Sequence, residues 1–203
     1  GSENTSVGSY SLEANTTAAN NTAVGYGTLN ANTTGARNTA IGKSALVSNT
    51  TASSNAAFGS LALQANTTGS VNTAVGDATL YTNTTGSNNV ACGQGALYAN
   101  TTANNNTGIG YSALTANTTG TFNVAVGAFA LDDNSDGQQN TGVGYNALSA
   151  NTTGGSVTAF GSLALDANTT ANYNTAVGAS ALSAITTGVE SVAVGSSALV
   201  SAT

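Results

Sequence analysis

The 203-residue chain contains no His, Met, Trp or Pro, and a single Cys, Cys92. Without His, the Ser-His-Asp triad, the Cys-His pair and the usual zinc ligand sets are out of reach. One thiol cannot form an internal disulfide, so cysteine usage says little about redox compartment. Basic residues are nearly missing: Arg37 and Lys43 stand against eight acidic residues, for a net charge of −6. Phosphate backbones are held by clusters of Lys and Arg, which argues against a nucleic-acid partner. No apolar run approaches the ~20 residues of a membrane-spanning helix.

What the chain does have is repetition. A pentad like Asn-Thr-Ala-Val-Gly begins at residue 4 and returns every 17 residues, twelve times, with no insertion or deletion. Such a period marks a repeat architecture. Residues 4–203 therefore read as one repeat domain, and residues 1–3 as a cloning scar and lead-in. The twelfth unit stops at Thr203, its thirteenth position, so the chain is expected to be a piece of a longer array. Abundant Asn, Thr, Ser and Gly with little charge also suits disorder. Disordered tracts, however, do not hold apolar residues at fixed places through twelve units.

Numbering each unit from its Asn, position 9 is Leu and position 5 is Gly in all twelve copies. Position 4 is Val, Ile, Phe or Cys, and position 3 is Ala except at Ser6, Gly108 and Gly142. Two short apolar segments, T-A-V and x-A-L-x-A, alternate with polar turns. Seventeen residues are too few for two helices and a turn, and Thr, Val and Asn are poor helix formers. Thr, Val and Ile favour strands. The fold class expected is all-β: a parallel β-solenoid, or β-roll, of twelve 17-residue coils stacked at ~4.8 Å. Val24 and Leu29 are expected to point inward from opposing strands, with Gly25 at the bend after the first, where a positive φ is tolerated. Cys92, at position 4, is expected to be a small buried hydrophobe. The core of one coil is thin, so stacking and association between chains are expected to support it. The row Ala23, Ala40, Ala57, Ala74 and Ala91 is small and flat enough to be the face that packs on another chain.

The units resemble the head repeat of trimeric autotransporter adhesins. The likeness is carried by Thr39-Ala40-Ile41-Gly42 with Ala45, and by Ser191-Val192-Ala193-Val194-Gly195 with Ala198. They are also similar to repeat shafts of phage tail-fibre-like and bacterial surface proteins. This resemblance implies a left-handed roll and a homotrimer. The present unit is three residues longer than that family's, around the Asn-Thr-Thr-Gly turn. The function implied is a structural or adhesive fibre segment, extracellular on a cell or phage surface. It would contact a glycan, matrix or protein receptor, and it would not be an enzyme.

Several side-chain groups are candidates for more specific roles. Asn-Thr-Thr recurs from Asn15 to Asn168, and each copy is formally an N-glycosylation sequon. The preferred reading is a stacked Asn ladder that satisfies turn backbone groups. The Thr rank at position 13, comprising Thr33, Thr50, Thr67, Thr84, Thr101 and Thr118, supports an alternative class, an ice-binding solenoid. Adjacent Thr at a turn cannot both face one flat sheet, which counts against it. Asp132, Asn134 and Asp136, followed by Gly137, have the spacing of the start of a calcium loop, although the twelfth position is Val143 and not Glu. A locally acidic, solvated turn is the plainer reading. Tyr81 and Tyr98 share position 10 in successive coils, as candidates for a sugar or protein ligand, or for ladder packing. Asp132 and Asp166, two coils apart at ~9–10 Å by strand spacing, lie near the upper end for an inverting glycosidase pair. One such match among eight carboxylates is readily chance.

Overall fold

The computed structural model describes residues 1–200. It is a β-solenoid in which each coil contributes one three-residue strand, from β1 (Thr5–Val7) to β12 (Val192–Val194). The twelve strands form a single parallel sheet in sequence order. Each strand pairs in register with the residues 17 positions on, as in Thr22↔Thr39, Ala23↔Ala40 and Val24↔Ile41. No helix is present among the described residues. At ~4.8 Å per step the sheet runs for roughly 53 Å.

The rest of each coil is turn, and here the structure departs from the expectation of two opposing strands. The x-A-L-x-A segment is not extended, because position 9 adopts a left-handed backbone: Leu29 has φ 48° and Leu97 φ 52°. Positions 7 and 17 do the same, as at Ser44 (φ 56°) and Arg37 (φ 58°). A left-handed non-glycine residue costs on the order of 1 kcal/mol. Stacking offsets that cost, because the bend aims backbone groups along the rod. Leu29 N–H donates to Ala45 O in the next coil (3.1 Å), and Ser44 N–H donates to Tyr26 O in the previous one (2.8 Å). Gly at position 5 is required for a second reason. Gly25 has φ 133°, and a Cβ there would sit 2.8 Å from Gly42 O in the next coil.

The strand's pleat decides what is inside. In a three-residue strand the middle side chain faces one way and its two neighbours the other. Position 3 faces inward: Ala23, Ala40, Ala57, Ala74 and Ala91 are fully buried against the Leu column. Positions 2 and 4 face outward. Val24 is half-buried and Val75 and Ile109 are exposed, so Val24 does not oppose Leu29 as expected. The interior explains the choice. At Gly108 an added Cβ would lie 3.3 Å from Leu97 Cγ and 3.2 Å from Ala113 O, so the space holds a methyl group and little more. The Leu side chains from Leu29 to Leu182 are fully buried, as expected.

Two columns of buried Asn flank the Leu column. At position 12, Asn49 Nδ2 donates to Asn32 Oδ1 of the previous coil (2.9 Å) and to Ala52 O of its own coil (3.1 Å). The pattern continues up to Asn168, where Nδ2 donates to Asn151 Oδ1 at 2.9 Å. At position 1, Asn38 N–H donates to Asn21 Oδ1 (2.9 Å) while its Nδ2 donates to Ala52 O (2.8 Å). These amides satisfy the carbonyl of the tight turn from inside, where no water reaches. A buried polar group left unpaired would be costly.

Candidate functional site

One surface feature runs through every coil, the outer face of the sheet. It carries position 2 (Thr, Ala or Val) and position 4 (Val, Ile, Phe or Cys), so no charged residue occurs on it in any coil. Val75, Ile109 and Phe58 are each 39% exposed and Phe160 is 55% exposed. Strand pairing aligns them into one apolar column along the rod, with Thr22, Thr39, Thr73 and Thr107 beside it. Monomeric soluble proteins rarely leave contiguous apolar patches of more than a few hundred Å² uncovered. Two expectations are corrected here. The Ala23–Ala91 row cannot pack on another chain, since it is inside the coil. Cys92 is exposed rather than buried, because the pleat turns position 4 outward.

The Thr rank at position 13 lies elsewhere, on the Asn-Thr-Thr turn, and its hydroxyls are occupied. Thr33 Oγ1 donates to Thr50 O (3.1 Å), Thr50 to Thr67 O (3.2 Å) and Thr67 to Thr84 O (3.0 Å). Thr84, Thr101 and Thr118 repeat the contact at 3.0, 3.3 and 3.2 Å. These residues are half-buried and knit coils together; they form no open lattice. Their neighbours at position 14 are exposed.

The acidic turn does not gather its three candidate ligands. Asn134 is fully buried in the amide column. Its Nδ2 donates to Asn117 Oδ1 (2.9 Å) and Gly137 O (3.1 Å), and its Oδ1 accepts from Asn151 Nδ2 (2.8 Å). Asp136 is exposed and accepts from Thr119 Oγ1 at 2.6 Å. Among the described residues no group of three or more His, Cys, Asp or Glu side chains is placed to hold a metal ion.

Asp132 sits at position 10 with one carboxyl oxygen buried and without a hydrogen-bond partner. Burial, reinforced by the neighbouring charge of Asp133, pushes its pKa up to about 6. Asp166, two coils on, also has an unpaired buried oxygen. Burial raises its pKa too, against backbone hydrogen bonds that pull it down. Ser149 occupies position 10 in the coil between them. The described surface has no cavity beside this pair.

Aromatic side chains stack along the rod. Tyr81 and Tyr98 lie parallel, with centroids 5.0 Å apart and 7° between planes, so each ring covers a face of the other. That geometry serves the ladder first and leaves ring edges and outer faces for a ligand. Phe129, which sequence reasoning passed over, sits edge-to-face between Tyr111 (5.2 Å) and Tyr145 (6.3 Å). The outward column at positions 2 and 4 was also missed. Its signal was present in Gly108 and Gly142: a position that is Ala or Gly in every coil but the first, where it is Ser6, is one with little room.

No known protein family, curated protein or solved structure matches the chain. The molecule is thus defined by its architecture, a β-solenoid of 17-residue coils.

Proposed function

We propose that the chain is a segment of an extracellular fibre on a cell or phage surface, a rigid stalk or adhesive head that is not an enzyme. It associates laterally with copies of itself, as a homotrimer, and presents its variable corners to a glycan, matrix or protein receptor. The observation that carries this reading is the uncharged apolar column on the sheet face, unbroken by any charge through twelve coils. A strip of roughly 53 Å by ~10 Å offers about 500 Å² per contact. Specific interfaces bury about 800 Å² per partner, so twelve coils give a modest contact that a longer array strengthens. The resemblance to trimeric adhesin heads points the same way. Light scattering tests the reading: it should give about three times 19.5 kDa at tens of micromolar. A monomer mass throughout that range would refute it.

A second reading, ice binding, draws on the strand-face Thr residues, which repeat at strand spacing on the flat side of the rod. Phe58 and Phe160 rise from that face and interrupt its flatness. Thermal hysteresis in the monomer would favour this reading over the fibre.

A further inference from the structure

The sequence holds twelve Asn-x-Ser/Thr triplets, and the fold sorts them sharply. Nine are the Asn-Thr-Thr turns. Asn15, at the end of the amide column, is half-buried with its Nδ2 on Ala18 O (3.2 Å). The other eight are buried in the column, as at Asn66, where Nδ2 donates to Asn49 Oδ1 (3.0 Å) and Gly69 O (2.9 Å). Both amide hydrogens are therefore in use. A tenth, Asn4, has its Nδ2 on Ala18 O (2.9 Å) and its Oδ1 on Asn21 N (2.9 Å). The remaining two, Asn20-Asn21-Thr22 and Asn105-Asn106-Thr107, differ. Their first Asn is at position 17, the left-handed corner before the strand, with φ 61° at Asn20 and 60° at Asn105. Both are exposed, and both belong to neither column. The following Thr22 and Thr107 lie on the outer face of the sheet, half-exposed. Asn88 is a built-in control. It occupies the same corner with φ 59° and is equally exposed, but Val90 stands where the hydroxyl residue is needed.

We propose that Asn20 and Asn105 are acceptor sites for N-linked sugar on the folded rod, and that the ladder asparagines are closed to it. The donor is a nucleotide-activated hexose. The bond formed joins Asn Nδ2 to the sugar's anomeric carbon, and the bond broken is that carbon's bond to the diphosphate oxygen. The nucleoside diphosphate leaves with the bonding pair, and the amide proton passes to a base on the transferase. A sugar at either corner projects from the rod without disturbing a coil contact. One on a ladder Asn would displace the amide column and the coil stacked on it.

The test treats the folded protein, diluted until monomeric so that the sheet face carrying Thr22 and Thr107 is free, with a soluble N-glycosyltransferase and UDP-glucose, then maps the modified peptides by mass spectrometry. A 17-residue peptide of residues 21–37, modified at Asn32, shows that the enzyme accepts Asn-Thr-Thr when it is unfolded. The expected result is two hexoses per chain, at Asn20 and Asn105, with Asn88 and the ladder unmodified. Val90→Thr should then add a third hexose at Asn88. The proposal is overturned if Asn20 and Asn105 stay bare while peptides spanning them are modified. It is equally overturned if ladder asparagines react in the folded protein, or if Val90→Thr leaves Asn88 bare.

Discussion

Replacing Ala91 by Val and, separately, Val75 by Ala probes the inside-outside assignment at adjacent ranks of the sheet. Ala91 is fully buried and Val75 is 39% exposed. At the equivalent inward position, Gly108, even a Cβ would lie 3.3 Å from Leu97 Cγ and 3.2 Å from Ala113 O. Two further methyl groups at position 91 must push into the Leu column or tilt the strand. Neither neighbour yields easily, because coils above and below hold the Leu side chains in place. Overpacking of this kind costs about 1–3 kcal/mol, or roughly 2–4 °C in Tm per kcal/mol for a chain of this size. Removing two exposed methyl groups at Val75 should stay within ~0.5 kcal/mol. Urea unfolding of dilute monomer, followed by circular dichroism, reads both. A larger loss for Val75→Ala than for Ala91→Val would mean that position 4 is the core and the reasoning is wrong.

Other consequences follow from the columns and corners. Asn100→Ala deprives Asn83 Oδ1 of its donor and Asn117 Nδ2 of an acceptor, while Ala103 O keeps Asn89 Nδ2, a loss of about 1–3 kcal/mol by urea melt. Asp132 is raised from 3.8 to about 6 on folding. The folded state therefore binds the extra proton, and stability should be highest below pH ~4 and fall as pH rises through ~6. Asp132→Asn should flatten that fall, as read by melts between pH 4 and 8. Millimolar calcium should leave Tm unchanged, because the Asn134 oxygen is already held by Asn151. A calcium-dependent rise abolished by Asp136→Thr would reinstate the loop as a site.

The coil, its stacking, the Leu column and the glycine bend were legible because they rest on period and invariance, which a sequence displays directly. The direction of the strand was not. Side-chain size usually tracks burial, and Thr-Ala-Val invites the larger residue inward, yet the narrow coil reverses the rule. Nor was the turn character of the second segment legible. Leu has no preference for a left-handed backbone, and only stacking holds Leu97 at φ 52°. Asn134 illustrates the site-level difficulty. Its spacing from Asp132 and Asp136 suits an ion, but its rank in the repeat places it in the amide column, and in a solenoid rank decides.

Cys92 offers the most direct test of the claim that this rod associates through its sheet face. Its thiol is exposed at the middle of the apolar column. Reaction with Ellman's reagent, followed across a dilution series alongside the solution mass, requires no substitution. Association through the sheet face requires a fast, stoichiometric reaction in dilute monomer and marked protection as the mass rises to three chains. A thiol that stays fully reactive in the oligomer would place the interface elsewhere, and one that is unreactive even in the monomer would contradict the outward face itself.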